Sequence, residues 1–191
     1  MLNVKAISYL ALSVALLLLF TFTPFLGYIQ ISVISITLVP CVVMIISIIW
    51  IKILKWNPFI VGVISGLLLG LSSFLASFVM GGPLAVVFQN PLFSIVPRLL
   101  VGIVSGIILQ FLVLRSEFRY WLTIIIWSFF VISTNSLATL AMICFLGDAF
   151  FPDLNVLQYI SWLALATNYL PELMITTLII LPIVKVINKI G

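Results

Sequence analysis

A chain of 191 residues that is 65% hydrophobic and only 6% charged, with a mean hydropathy of +1.47, excludes a soluble globular domain. A spanning helix needs ~20 mostly apolar residues, so this length holds about six and leaves no room for a separate soluble catalytic or nucleotide-binding domain. The net charge of +4 comes from basic residues at the ends of apolar runs and does not argue for nucleic acid, and the lack of histidine removes the commonest metal ligand and proton relay.

The first span is expected over residues 6–25, behind Lys5. A signal peptide would look similar. A retained helix is preferred because Ala11 and Ala15 form a small-xxx-small face suited to helix packing. Residues 28–35 read as a polar-studded, partly re-entrant connection. The second span, 32–51, contains Pro40 and ends at Lys52, Lys55 and Trp56, and Asn57-Pro58 turns the chain. The third, 59–80, carries Gly62, Gly66 and Gly70 on one face, a ladder that serves either packing within the subunit or a partner.

Gly81-Gly82-Pro83 breaks that helix, and 84–91 forms a connection with Gln89 and Asn90. The fourth span, 92–114, has a second small ladder at Gly102 and Gly106 and is closed by Arg115, Glu117 and Arg119. The fifth, 120–146, contains Ser133-Thr134-Asn135-Ser136 and leads to Asp148, Pro152 and Asp153; the sixth, 156–187, contains Asn168, Pro171 and Glu172. Residues 1–191 therefore read as one all-α integral membrane domain of six transmembrane helices. With both termini cytoplasmic, Lys5, Lys52, Lys55, Arg115, Arg119, Lys185 and Lys189 fall inside and Asp148 and Asp153 outside, as the positive-inside rule requires.

Arg98 is the exception. It lies about six residues into the fourth span, roughly 10 Å deep at helical rise, and a guanidinium in hydrocarbon costs roughly 2.5 to 3.5 kcal/mol on insertion scales. The intramembrane polar set is short: Gln30, Gln89, Asn90, Arg98, Asn135, Asn168 and Glu172. Amides, one guanidinium and aromatic walls opening outward suit a small polar organic solute. The structural readings are that the amides bond neighbouring helices and that Arg98 clamps Glu172 or a helix-end carbonyl. Pro171 frees the carbonyl of Thr167, so an unwound turn beside Asn168 is expected to need polar partners. Catalysis has little to build on: Asp148 and Asp153 lie near an outer loop, no His or Lys lies mid-span as a base, and no phosphate-cradling glycine pattern is present. Cys41 and Cys144 lie in apolar runs and read as small buried hydrophobes, and no cofactor is implied.

Four stretches carry a resemblance: Ala11-x-x-x-Ala15; GVISGLLLGLSSF at 62–74; PLFSIVPRLLVG at 91–102; and Thr134-Asn135-Ser136 paired with ATNYLPE at 166–172, which runs on into ITTLIILPIVKVINK. Together they resemble the S-components, the substrate-binding membrane subunits of energy-coupling factor (ECF) vitamin transporters in bacterial cell membranes. The resemblance implies a multi-pass subunit that is not an enzyme. It implies capture of a vitamin or precursor from outside, and toppling in the bilayer on an ECF transmembrane coupling subunit driven by two ATPase subunits. It implies substrate contacts at Arg98, Asn135, Asn168, Glu172 and Asn90, a partner face at Ala11 and Ala15, and gates at 27–35 and 81–90. Arg98 suits a carboxylate or phosphate, which makes pantothenate the first expectation, with folate, pyridoxine, a thiamine precursor and cobalamin behind it. A polytopic scaffold without transport is the competing reading. A secondary transporter is a third, and only Glu172 would carry its proton.

Overall fold

Apolar runs punctuated by glycine, proline and charge fold into seven helices and one hairpin in a computed structural model, which describes residues 4–23, 26–31, 34–79, 85–113, 120–152 and 157–190. The order is α1 (Val4–Phe22), β1 (Tyr28–Ile31), β2 (Ile34–Thr37), α2 (Val39–Lys52), α3 (Pro58–Val79), α4 (Ala85–Phe88), α5 (Pro91–Val113), α6 (Tyr120–Phe150) and α7 (Leu157–Ile190). Four helical stretches are long and apolar enough to cross a membrane: Pro58–Val79, Pro91–Phe111, Trp121–Phe150 and Ala166–Ile187. Two apolar helices are shorter, Ala6–Phe22 and Val39–Lys52. The expected breaks at Gly81-Gly82-Pro83, the charges Arg115, Glu117, Arg119 and Asp153, and both chain ends lie outside the described residues.

Two expectations are corrected. The second helix begins at Val39, not at residue 32, because the preceding residues form an antiparallel hairpin in which Tyr28 pairs with Thr37, Ile29 with Ile36, Gln30 with Ser35 and Ile31 with Ile34. The fold is otherwise helical, as expected, with this one short hairpin among the described residues. Pro40 in the first turn of α2 fits where no intrahelical donor is needed. The second correction concerns α7, which is helical without interruption from Leu157 to Ile190 through Pro171 and Pro182, so the expected unwound turn is not formed. The Thr167 hydroxyl donates to the Leu163 carbonyl at 2.7 Å within that helix.

Helix packing closes a ring, α2 against α3, α3 against α5, α5 against α6, α6 against α7 and α7 back on α2, with α1 outside against α2 and α3. The α3/α5 pair is the tightest, and its cause is legible. A Cβ on Gly66 would lie 2.7 Å from Gly102 Cα, and one on Gly62 2.6 Å from Gly106 Cα, so two glycine ladders let the backbones touch. The third-span ladder thus serves packing within the subunit, and a partner face there is overturned. The main core joins Val39, Val42, Met44, Ile46 and Trp50 of α2 to Val61, Leu69, Val101, Trp127, Ile180 and Val184. Buried indoles are satisfied within it: Trp50 Nε1 donates to Ser13 Oγ at 3.0 Å and Trp127 Nε1 to Ser105 Oγ at 2.9 Å. Cys41 is buried and Cys144 half-buried, both as free thiols.

Candidate functional site

Buried ionisable side chains lie on α5 and α7, and the one on α7 bonds the hairpin. Arg98 projects from α5 and is only 9% exposed. A Cβ on Gly66, near the middle of α3, would come within 2.8 Å of the Arg98 carbonyl oxygen, which fixes how deep that residue sits. Helical side chains lean towards the N-terminus of their helix, and Arg98 follows the rule: its Nη1 donates to the Phe93 carbonyl at 3.0 Å. Its guanidinium carbon lies 4.5 Å from the centroid of the Phe88 ring on α4, a cation–π contact strengthened where water is excluded.

Glu172 stands on α7, across the ring, and is 4% exposed. Its Oε1 accepts the main-chain N–H of Thr37 at 2.7 Å, at the junction of hairpin and α2. Arg98 and Glu172 are thus both buried, one on α5 and the other on α7. Asn168, one turn before Glu172 and 9% exposed, shares that face of α7.

The other expected residues are placed differently. Asn135 is half-buried on α6, on the stripe that also holds the buried Ser128 and Ile132. Its neighbour Ser133 ties α6 to α7 through a 2.7 Å bond between its hydroxyl and that of Tyr169. Asn90 is occupied as a cap: its Oδ1 accepts the Leu92 N–H at 3.0 Å at the start of α5. Gln89 links α4 to α3 by donating from Nε2 to the Ser77 carbonyl at 3.3 Å. The side chain of Gln30 lies outside the described residues. Ala11 and Ala15 are exposed on the outer face of α1, among Ile7, Leu12, Val14 and Leu18.

Side-chain reading of the sequence missed three features of this region. Phe88 was not singled out, although its place ten residues before Arg98 puts it in the segment that folds back over the start of α5. The Thr37 N–H carries no side-chain signal. Ser94 and Thr176 are fully buried hydroxyls without a hydrogen-bond partner, one turn before Arg98 and one turn after Glu172 respectively. The spacing of four from a charged residue was the clue to both. Such groups are costly to bury unpaired and are common where a ligand or water completes the bonding. Among the described residues no cluster of His, Cys, Asp or Glu is arranged to hold a metal ion. No family model matches the sequence, and no curated protein is similar to it.

Proposed function

We propose that the protein is a multi-pass subunit of a bacterial cell membrane, with six spanning helices and cytoplasmic termini, that captures a small vitamin or vitamin precursor from outside. The observation that carries the reading is the burial of two ionisable side chains, Arg98 on α5 and Glu172 against the hairpin, each one turn from a buried unpartnered hydroxyl, Ser94 and Thr176. Charges at this depth are expensive unless they have a task. In this reading Arg98, Asn135 and Asn168 touch the solute, with Glu172 and Asn90 at its margin. The hairpin and the segment through α4 cap the site from two sides.

Release follows the ECF scheme: the subunit topples on a transmembrane coupling partner driven by two ATPases. The exposed Ala11 and Ala15 on the peripheral α1 support a partner face there, because small residues let a second backbone approach. Pantothenate is the first candidate substrate, its carboxylate matched to Arg98 and its amide and hydroxyls to the asparagines. Folate, pyridoxine, a thiamine precursor and cobalamin are the others. The scaffold reading has one observation in its favour: Arg98 already bonds the Phe93 carbonyl and the Phe88 ring, as a helix clamp would.

The deciding experiment is mass spectrometry of small molecules retained through purification in detergent, followed by tryptophan-fluorescence titration with a vitamin panel. A stoichiometric vitamin supports capture and names the cargo. Arg98→Ala is then expected to weaken an anionic vitamin by about 1.5 to 3 kcal/mol, the range for a hydrogen bond to a charged group. Absence of binding by every vitamin in the panel supports the scaffold.

A further inference from the structure

The hairpin is at an unusual place for β structure. α2 has 14 residues, about 21 Å at helical rise, which is shorter than a hydrocarbon core of ~30 Å, and the hairpin directly precedes its N-terminal end. A two-stranded ribbon has two unpaired edges, and at membrane depth such edges exist only where protein or a polar cavity satisfies them. Something on the ring must supply bonding groups to the edge of β2.

The register says which groups need them. Leu38 N donates to the Gly27 carbonyl at 2.7 Å, which makes 27 and 38 a hydrogen-bonded pair. Bonded and non-bonded pairs alternate along an antiparallel ladder. Thr37 with Tyr28, and Ser35 with Gln30, are therefore the non-bonded pairs, and the N–H and C=O groups of Thr37 and Ser35 point off the free edge of β2. That edge packs on α7, where Glu172 takes the Thr37 N–H. α2 packs on α7 and shares one core with Ile180, Val184 and Ile187, beyond Glu172 along α7, and since α2 follows β2 the ladder requires β2 and α7 to run the same way. One step back along the edge, from Thr37 to Ser35, is about 6.8 Å. One step back along α7, from Glu172 to Asn168, is about 6.0 Å. The two repeats match over this distance, and Asn168 is buried on the same face as Glu172.

We propose that Asn168 and Glu172 form a two-rung side-chain ladder that takes the place of a third strand, Asn168 bonding the main chain of Ser35 as Glu172 bonds that of Thr37. The Asn168 Oδ1 accepts from the Thr167 hydroxyl at 3.2 Å, and its second lone pair and the two amide hydrogens match an edge residue that presents an N–H and a C=O. The ladder does not rest on the capture reading above.

The test is residue-resolved amide hydrogen exchange on the full chain in lipid nanodiscs, with no vitamin added. In the wild type the Ser35 and Thr37 amides are expected to exchange as slowly as the ladder amide of Ile36, although they face away from β1. Glu172→Met is expected to speed Thr37 exchange roughly tenfold to a hundredfold and Asn168→Leu to do the same at Ser35, with Ile36 still protected. Glu172→Gln and Asn168→Asp keep an acceptor oxygen and are expected to retain protection. A freely exchanging Ser35 amide in the wild type, or one that does not respond to Asn168→Leu, overturns the ladder. Should Asn168→Leu not fold, the wild-type Ser35 amide and Asn168→Asp decide the matter. Because no vitamin enters the measurement, its failure leaves the capture reading to be judged by the vitamin panel alone.

Discussion

Thr176 and Ser94 are the residues whose chemistry is least settled by their own chain. Both are fully buried with a hydroxyl that bonds nothing, and each lies one turn from a charged residue of the site. An isosteric exchange that removes such a hydroxyl relieves its desolvation. Thr176→Val is therefore expected to stabilise the empty protein by about 1 kcal/mol, measured by thermal unfolding in detergent, and to weaken a bound solute that uses the hydroxyl. Ser47→Ala is the contrast. Its hydroxyl bonds the Val43 carbonyl at 2.8 Å and Ser65 Oγ at 3.2 Å, so its loss is expected to cost about 1 kcal/mol in the same assay. At this scale the sequence was informative wherever charge met apolar surroundings. Arg98 and Glu172 stood out because each would be expensive alone, and the fold buries both. What could not be read was any role carried by main chain, such as the Thr37 N–H, because every residue but proline has one.

The glycine ladders act at the scale of elements. Four glycines on two helices meet backbone to backbone, and a side chain on any of them forces the pair apart. Gly66→Leu is expected to destabilise the protein by about 3 kcal/mol or to prevent folding, at the upper end of overpacking effects. Gly147→Ala, where a Cβ would meet only the Ile143 side chain at 3.6 Å, is expected to be tolerated in the same thermal assay. The spacing of four made these ladders visible in the sequence, though it did not say whether they faced a partner or the chain itself. The hairpin was harder to see. Isoleucines at 29, 31, 34 and 36 alternate with polar residues, which is a strand pattern, yet the run continues without a charge into the apolar α2. A short apolar stretch beside a longer one is absorbed by it when periodicity is the only guide. The uninterrupted α7 has a related lesson: proline removes a bond at position 171, but packing on α6, α2 and β2 holds the helix through it.

For the molecule as a whole, the proposed function assigns solute capture to the ring and the coupling partner to the peripheral α1. Ala11→Trp or Ala15→Trp alters only the outer face of α1, so vitamin binding by the isolated subunit is expected to persist while uptake with the coupling partner falls; fluorescence titration and a vesicle uptake assay separate the two. Lost binding would place α1 in the pocket wall instead. The lengths of the outward-facing helices have a further consequence. On α3 the exposed apolar residues extend from Phe59 to Val79, about 30 Å at helical rise, which an average bilayer covers with the helix upright. On α6 they extend from Trp121 to Phe150, about 44 Å, and Phe145 near the far end is 85% exposed. One flank of the molecule thus matches the bilayer and the other overshoots it. Hydrophobic mismatch of this kind is relieved by tilt or by local thickening of the lipid, so acyl-chain length becomes a control on how far the protein leans, exerted without touching a residue.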